Sequence, residues 1–222
     1  MKITQLVTYC LSIPKTLYFN FRCFELKKAI KLPIFISYKV KLKQLGKGII
    51  EVQNDHIKLF MIKIGFNGTE EISPKKSMIN LEKGKIIFKG PCAISEGCII
   101  GVSNGGILEF GQYFSANRNF FVSCNRSVIF GDDVMIGWNV TLFDANGHTI
   151  FKNGKKKEAF KPILIGNHVW ICSESHVLKG SEIANGSIIA YGSLIYSKFT
   201  FENSLYGGTP VRLLQQEIKW KR

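Results

Sequence analysis

The chain has 222 residues, of which 45% are hydrophobic, and 30 Lys and Arg against 16 Asp and Glu give it a net charge of +14. This length can bury the continuous core of one globular domain with a small appendage. No run reaches the roughly eighteen apolar residues of a transmembrane helix, so no such helix is predicted.

Residues 1–46 form a basic, aromatic-rich segment. Up to Lys47 the chain has ten Lys or Arg and one acid, Glu25, and a short helix is predicted over 26–32, ending before Pro33. The segment precedes a domain of repeated coils and suits a cap that covers the open first coil of that domain. It also suits contact with the surface of an anionic membrane. The two roles are compatible, and both stay open. Nucleic-acid binding would also explain the charge, but no motif supports such a partner. The interleaved aromatics are Tyr18, Phe19, Phe21, Phe24, Phe35 and Tyr38.

From Phe88 onward, apolar residues recur every six positions in blocks of three. Three hexads make one triangular coil of about eighteen residues, in which each short strand points its repeat residue inward and Gly, Asn or Asp sets each turn. Turns are predicted at 131–133, 137–139 and 166–168. The blocks are Phe88, Ile94 and Ile100, then Phe110, Ala116 and Val122, then Phe130, Ile136 and Leu142.

The most regular column lies near the C-terminus, where seven apolar residues stand six apart and the residue four positions after each is mostly small. A period of six fits neither an amphipathic helix nor strand alternation and is typical of hexapeptide β-helix repeats. A sandwich of short strands is the alternative, but its turns would not recur at a fixed period. The predicted fold is therefore all-β, a parallel β-helix. The column is Ile165, Ile171, Val177, Ile183, Ile189, Ile195 and Phe201, and its companions are Val169, Ser175, Ser181, Ser187, Ser193 and Phe199.

The hexads run to Leu142, stop at 143–148 and resume at Ile165. The interval 149–162 is polar and basic and has no hexad phase, so it is predicted to leave the coil as a loop. Because a β-helix has no internal cleft, a protruding loop is the means to wall one, and His148 lies at its root. The chain is thus divided into the segment 1–46, a β-helix domain over 47–206 and a C-terminal cap over 207–222.

Cysteine usage predicts a reducing compartment. The six Cys lack the paired CxxC spacing of a metal site, and no signal peptide precedes them. Cys92 and Cys98 differ by one hexad, which favours stacking in the turn columns over a disulfide. We expect reduced thiols and a cytoplasmic protein. The thiols are Cys10, Cys23, Cys92, Cys98, Cys124 and Cys172.

Five motifs give the chain a resemblance to a known family. They are Gly147-His148, Lys152-Asn153-Gly154, the block ILIGNHVWI over Ile163–Ile171, Leu178-Lys179-Gly180, and GGTPVR over Gly207–Arg212. In order and spacing they resemble the hexapeptide-repeat acyltransferases with a left-handed β-helix. The match is closest to sugar O-acetyltransferases of the galactoside and maltose acetyltransferase type and of surface-polysaccharide gene clusters. The resemblance covers about Gly84 to Arg212.

The resemblance implies a homotrimer with sites between neighbouring β-helices, and transfer of an acetyl group from acetyl-CoA to a sugar hydroxyl without a metal. It assigns His148 as general base, because a neutral imidazole can accept a hydroxyl proton. Asp144 either orients His148 or is a plain turn residue, and Asn146 replaces the second acid of the Asp-x-Asp-x-His pattern of related enzymes. The backbone N–H of Ser173 would stabilise the thioester oxyanion, although Cys172 replaces the family's Gly.

The remaining positions divide between the acyl donor and the acceptor. Arg212 matches a residue that binds CoA phosphate, and Lys198 stands one position beyond the usual Lys, where this chain has Ser197. Asn117 matches an acceptor-binding Asn, and Asn125 replaces an acid of the galactoside enzymes. The donor positions are Trp170, Lys179, Tyr191, Gly192, Ser197, Lys198 and Arg212, and the acceptor positions are Asn117 and Asn125.

Three other functions are weighed. The first is an N-acyltransferase for an amino group of a nucleotide sugar, and the second is an inactive β-helix scaffold. The third, a γ-type carbonic anhydrase, requires three His at set positions around a metal, which His56, His148, His168 and His176 do not reproduce. The acceptor expected is a sugar hydroxyl of a bacterial capsule or lipopolysaccharide. The protein is expected in the cytoplasm, and peripheral contact with the inner face of the cell membrane stays open.

Overall fold

A computed structural model describes residues 3–222, in which two helices precede a long series of short strands. Helix α1 spans Ile3–Cys23 and α2 spans Leu26–Ala29. The strands are β1 Ile34–Ile36, β2 Lys41–Lys43, β3 Ile50–Val52, β4 Ile62–Ile64, β5 Met78–Glu82, β6 Lys85–Phe88, β7 Cys92–Ile94, β8 Ile99–Ser103, β9 Ile107–Phe110, β10 Phe114–Ala116, β11 Phe121–Cys124, β12 Ser127–Phe130, β13 Met135–Ile136, β14 Thr141–Phe143, β15 Phe151–Lys152, β16 Lys155–Lys156, β17 Ile163–Ile165, β18 Trp170–Ile171, β19 His176–Leu178, β20 Glu182–Ile183, β21 Ile188–Ile189, β22 Leu194–Ile195, β23 Lys198–Phe199, β24 Leu205–Gly207 and β25 Arg212–Gln215.

The chain winds as a left-handed parallel β-helix, as the hexads and the resemblance predict. Sheet 1 has the order β1-β4-β7-β10-β13-β18-β21-β24-β25, sheet 2 the order β2-β5-β8-β11-β14-β19-β22, and sheet 3 the order β3-β6-β9-β12-β17-β20-β23. Pairs within each sheet are parallel until β25, which turns back antiparallel to β24. Register keeps like residues in line: the Phe88 and Phe110 ring centroids are 5.2 Å apart, and those of Phe110 and Phe130 are 5.5 Å apart. The core is therefore a set of inward columns.

The late hexad column is buried through Ile195, but its last predicted member is not. Phe201 is 56% exposed, because the chain leaves the coil after β23. The interior position is filled instead by Tyr206, whose ring lies 4.9 Å from that of Phe199 and whose hydroxyl donates to the Phe201 carbonyl at 3.0 Å. The inclusion of Phe201 in the column was wrong.

The small companion column places four buried hydroxyls inside the turns. Ser193 Oγ donates to the Ala190 carbonyl at 2.7 Å, and Ser181 Oγ donates to the Leu178 carbonyl at 2.6 Å. Ser175 Oγ donates to the Ala190 carbonyl at 3.1 Å and Ser187 Oγ to the Phe201 carbonyl at 3.4 Å, both in the following coil. Small side chains there satisfy backbone acceptors in a corner too tight for a larger residue.

The predicted turns share one backbone device. The third residue of each has a left-handed conformation, with φ of 55° at Asp133, 55° at Asn139 and 53° at His168. Asn and Asp tolerate this region better than most residues, which explains their place in the repeat. Gly137 is required for a different reason: a Cβ there would lie 2.4 Å from the backbone nitrogen of Ser173 in the next coil.

The N-terminal helix α1 is the largest departure from the prediction, which placed a helix only at 26–32. The first strands, β1 and β2, also fall inside the segment 1–46. Helix α1 covers the open edge of β1 with a polar stripe. The Asn20 amide donates to the Ile34 carbonyl at 2.7 Å and accepts from its N–H at 3.2 Å, while Thr16 exchanges bonds with the Ile36 backbone and Ser12 accepts from Tyr38 N–H. The unpaired edge of the first coil is thus satisfied by side chains rather than by another strand. No helix within residues 3–222 is both long and apolar enough to cross a membrane.

The C-terminal segment after β25 runs back along the coil. Trp220 stacks on His168 with ring centroids 4.0 Å apart, and Arg222 Nε lies 3.3 Å from Asp133. His168 Nδ1 is 2.6 Å from the Asp133 carboxylate. These contacts hold residues 218–222 against the turns between sheets 3 and 1. All six Cys are free, and Cys92 lies in strand β7 rather than in a turn.

Candidate functional site

The candidate site residues lie at two corners of the coil. Corner 1/2, between sheets 1 and 2, comprises 117–119, 137–139, 172–174 and 190–192, and corner 2/3, between sheets 2 and 3, comprises 125–126, 144–162, 179–181 and 196–197. Asn117, Ser173, Tyr191 and Gly192 lie at corner 1/2. Asn125, Asp144, His148, Lys179 and Ser197 lie at corner 2/3, while Trp170, Lys198 and Arg212 lie on strands β18, β23 and β25.

The interval 149–162 leaves the coil as predicted, and it is a β-hairpin rather than an irregular loop. Strands β15 and β16 pair antiparallel, and the two residues between them, Asn153 and Gly154, have φ of 51° and 71°. An Asn-Gly pair with both residues left-handed is the usual signal of a tight hairpin turn. This signal in the sequence could have predicted the hairpin. Its exposed lysines are Lys152, Lys155, Lys156 and Lys157.

His148 lies where the chain leaves the coil toward the hairpin. Its side chain is exposed and has no hydrogen-bonding partner within the described part of the chain, residues 3–222. The backbone on either side of it is fixed, because Asn146 N–H donates to the Ala159 carbonyl at 3.0 Å and Lys157 N–H donates to the Ile150 carbonyl at 2.8 Å. A fixed backbone with a free imidazole suits a group that exchanges protons with a bound molecule.

Asp144 is fully buried, and its carboxylate binds the turn between β11 and β12. It accepts from the backbone N–H groups of Asn125 at 2.8 Å, Arg126 at 2.6 Å and Ser127 at 2.9 Å. A carboxylate that receives three such bonds is committed to the turn. No hydrogen bond joins it to His148 among residues 3–222, so its contacts correspond to the turn role.

Asn125 is equally engaged. Its side-chain oxygen accepts from Ser103 Oγ at 2.9 Å and from the Asn104 amide at 3.1 Å, and its amide nitrogen donates to Asp144 at 3.3 Å. The amide therefore links the turns of three successive coils. Its place beside Asp144 is fixed by these bonds.

The hairpin is tied to the coil by two cations. Lys179 donates through its ammonium group to the backbone carbonyl of Glu158 and, at 3.5 Å, to that of Ala159. Arg126 donates to the Glu158 carboxylate at 2.6 Å and to the Phe160 carbonyl at 3.4 Å. Lys179, predicted to contact the acyl donor, thus serves the hairpin base, and Arg126 is an anchor that the sequence reasoning missed. The Arg126 and Glu158 charges are far apart in sequence, so only the fold pairs them.

Corner 1/2 holds Ser173 in a close stack of turns. Ser173 is 5% exposed, and its Oγ accepts from the Trp138 N–H of the preceding coil at 3.1 Å. In the next coil Tyr191 is 65% exposed, and Gly192 N–H donates to the Ser173 carbonyl at 3.0 Å. Asn117 lies in the same column, but its amide binds Thr69, with Thr69 N–H donating at 3.0 Å and Thr69 Oγ accepting at 2.7 Å. That amide therefore fixes the 66–76 segment.

The remaining residues predicted to bind the acyl donor differ in how many contacts their side chains already make. Arg212 is exposed, and its backbone pairs with that of Gly207. Thr209, between these two residues, donates through its Oγ to the Gly192 carbonyl at 3.4 Å, which places this strand pair beside the Gly192 turn. Lys198 pairs with Glu182, whereas Ser197 is exposed at corner 2/3. The Trp170 ring lies 6.0 Å from that of Trp220. Within residues 3–222 no three His, Cys, Asp or Glu side chains gather as metal ligands would.

Comparison with known proteins supports the same fold. No family model matches the chain. Galactoside O-acetyltransferase of Escherichia coli (strain K12) is 35% identical over 118 residues, which are 51% of this chain and 56% of that protein. The match therefore spans about half of that relative's length. Among solved structures, the polySia-specific acetyltransferase NeuO has a TM-score of 0.52 at 21% identity, covering 82% of this chain and 76% of NeuO. A mutant of AntD, an N-acyltransferase from Bacillus cereus in complex with dTDP and coenzyme A, has a TM-score of 0.51 at 17% identity, covering 82% and 80%.

The coil, its corner turns and the hairpin that leaves it at corner 2/3 define a left-handed β-helix of the hexapeptide-repeat class. The predicted resemblance to the sugar O-acetyltransferases is confirmed over about half of the chain by the galactoside enzyme, and the match to NeuO confirms the fold.

Proposed function

We propose that the protein is an acetyl-CoA-dependent O-acetyltransferase that moves an acetyl group to a sugar hydroxyl. The observation that carries this proposal is the exposed imidazole of His148, which has no partner within residues 3–222 and lies at the base of a hairpin tied to the coil by Lys179 and Arg126. The relative that is 35% identical is an enzyme of this reaction type. The acceptor proposed is a sugar of a bacterial capsule or lipopolysaccharide, and the location is the cytoplasm, at the inner face of the cell membrane.

His148 acts as the general base. Its neutral imidazole accepts the proton of the acceptor hydroxyl as that oxygen attacks the thioester carbonyl, and the imidazolium then returns the proton to the departing thiolate. The side chain needs no rearrangement for this, because no internal hydrogen bond within residues 3–222 has to break first. Asp144 supports the base indirectly, by fixing the turn next to it.

Corner 1/2 is the proposed donor side. Acetyl-CoA is long and carries three phosphates, and the residues here fit such a ligand: Arg212 is an exposed cation whose side chain has no partner within residues 3–222, and Tyr191 is an exposed ring. The Ser173 backbone N–H would stabilise the thioester oxyanion, whereas the N–H groups of Cys172 and Glu174 donate within the coil. Gly192 completes this side, and Trp170 would line the ligand from strand β18. Ser197 at corner 2/3 and Lys198 on β23 would line it from the other side. When bound, acetyl-CoA supplies the activated acyl group.

The two sides come together in a homotrimer. In one coil, His148 and Ser173 lie at corners separated by sheet 2. Threefold packing would set corner 2/3 of one copy against corner 1/2 of the next, so that His148 of one copy faces Ser173 of its neighbour. Sheet 2 offers an apolar outer surface for this contact, where Phe121 and Phe143 rings lie 5.0 Å apart and Phe143 is 38% exposed.

The second candidate is N-acyl transfer to an amino sugar carried on a nucleotide. It is favoured by the fold match to AntD, whose structure holds dTDP and coenzyme A. The free imidazole of His148 could deprotonate an attacking ammonium as well as a hydroxyl. The two candidates therefore differ in the acceptor and not in the donor.

Labelled acetyl-CoA offered with a panel of nucleotide sugars, glycans and lipid-linked saccharides tests the proposal. An O-acetyl product loses its label in mild alkali, whereas an N-acetyl product keeps it. Calorimetry with acetyl-CoA is the companion measurement. Absence of heat with CoA, together with tight binding of zinc or iron, would reject the transferase.

A further inference from the structure

Helix α1 turns its polar side inward and its apolar side outward, the reverse of an ordinary surface helix. Its inward positions are Ser12, Thr16 and Asn20, which bind the edge of β1, with Phe19 and Cys23 below them in the core. We call the opposite side the outer face. It consists of side chains that are each at least 40% exposed: Ile3, Leu6, Val7, Leu11, Ile13, Leu17, Tyr18 and Phe21.

The outer face is not needed for the fold. The backbone edge that α1 covers is satisfied by polar side chains, and nothing in residues 3–222 packs over the outward leucines. Contiguous exposed apolar surface of this extent marks a contact with a partner or a membrane. Polar residues at these positions would serve the coil equally well, so the apolar ones indicate a second task.

The charges next to the outer face are almost all positive. Helix α1 contains no acid, and Arg22 at its end is exposed together with Lys27 and Lys31 in and just after α2. The single acid of residues 3–47, Glu25, lies 3.3 Å from Lys47. Glu70 and Glu96 also lie near α1, but they line the cleft beside Thr4 and Thr8 and are not part of the outer face. An apolar stripe flanked by cations complements a surface that is apolar inside and anionic at its rim.

We propose that α1 lies in the plane of an anionic lipid surface. The outer-face leucines enter the boundary between head groups and acyl chains, and Arg22, Lys27 and Lys31 contact the lipid phosphates. Because α1 caps the first coil, this contact would hold the β-helix by its N-terminal end. The inference does not depend on the proposed reaction, and it adds to the proposed membrane location the element and the side chains that would make the contact.

A second copy of this chain is the other occupant to consider. Pairing two outer faces would bring two sets of like charges together, which disfavours the contact. The two occupants also make opposite predictions, because a dimer would hide the leucines from lipid.

Sedimentation of the full chain with vesicles tests the proposal. The protein should bind vesicles containing phosphatidylglycerol at least about tenfold more tightly than vesicles of phosphatidylcholine alone. The variant Leu11→Gln/Leu17→Gln should lose at least about tenfold in vesicle affinity, since two leucines no longer enter the boundary. Both positions are exposed, so folding should be unaffected.

Two further variants separate lipid binding from other causes. The matched control Ile107→Gln/Leu164→Gln removes apolar side chains of similar exposure from strands β9 and β17 and should bind vesicles like the wild type. Lys27→Gln/Lys31→Gln should lose roughly tenfold affinity for the phosphatidylglycerol vesicles alone. Failure of the wild type to bind either vesicle, equal loss in the control, or a solution dimer that Leu11→Gln/Leu17→Gln dissolves would each overturn the proposal. Acetyl transfer to a soluble acceptor should be unchanged in all these variants.

Discussion

The Asp144 carboxylate accepts a 2.6 Å hydrogen bond from the backbone N–H of Arg126, and through this bond the point where the hexads stop is fixed to the turn of the coil before it. Arg126 in turn holds the hairpin through Glu158. Buried Asp144 and exposed Arg126, both at corner 2/3, thus position the backbone from which His148 projects.

Replacement of Asp144 by Asn should destabilise the protein rather than alter its chemistry. The neutral amide offers one acceptor oxygen where the carboxylate offers two, so at least one buried N–H of the turn loses its partner. We expect a loss of about 2 kcal/mol in the free energy of unfolding, measured by denaturant titration. A variant of unchanged stability whose turnover falls and whose pH profile shifts would instead assign Asp144 the role of orienting His148.

The edge cap of α1 should be sensitive to a single substitution. Asn20→Leu keeps the apolar bulk but leaves the N–H and carbonyl of Ile34 buried without partners, so we expect a loss of roughly 2–4 kcal/mol and faster amide exchange at Ile34. Thr8→Ala is the matched control, since its hydroxyl bonds only to Thr4 of the same helix. Equal effects of the two substitutions would contradict the cap.

Lys179 offers a test of whether the hairpin base or the acyl donor uses its charge. Lys179→Met removes the bonds to the Glu158 and Ala159 carbonyls, so the hairpin lysines should become more accessible to trypsin. Turnover should fall about tenfold with little change in CoA affinity, because only the placement of His148 suffers. If the variant instead resists trypsin and binds CoA weakly, Lys179 binds the acyl donor and does not hold the hairpin base.

The thiols other than that of Cys10 should react slowly with thiol reagents in the folded protein. Burial raises the pKa of Cys172 to about 11 and that of Cys98 to about 12, so both remain protonated at neutral pH. Exposed Cys10 should therefore react first with a thiol reagent, and the other thiols should react only slowly until the chain unfolds.

These raised pKa values also predict an alkaline loss of stability. An unfolded thiol ionises near pH 9 and native Cys98 only near 12, so the unfolded state loses protons first and the unfolding free energy falls as pH rises between these values. Each such thiol contributes a slope of about 1.4 kcal/mol per pH unit. Cys98→Ala should therefore show a shallower pH dependence than the wild type above pH 9. Identical slopes would contradict the assignment.

The sequence predicted the coil well because its repeat is a local rule. The positions of Ile171 and Ser175 in the coil follow from the local hexad and require no knowledge of long-range contacts. The same holds for the turns at Asp133 and Asn139. Helix α1 could have been predicted, because apolar residues from Ile3 to Phe21 recur at the spacing of an amphipathic helix. The sequence does not show which side of the helix faces the coil, because here the polar residues are the buried ones. Phe201 was missed for a different reason: periodicity does not indicate where the chain leaves the coil.

The candidate site was only partly predictable. The position of His148 follows from the break in the hexads, and the Asn153-Gly154 turn is readable from its residue types. The bond from Lys179 to the hairpin and the pairing of Arg126 with Glu158 depend on which turns stack in space. Residue types alone cannot distinguish a cation that binds a phosphate from one that binds a backbone carbonyl.

The most direct test of the central claim is the rate of acetyl transfer from labelled acetyl-CoA by the wild type and by His148→Ala, with CoA affinity measured on both. If His148 is the general base, the wild type yields an alkali-labile product, the rate in the variant is lower by on the order of 10²-fold or more, and CoA affinity is nearly equal in both. Unchanged turnover in His148→Ala would show that this residue is not the general base.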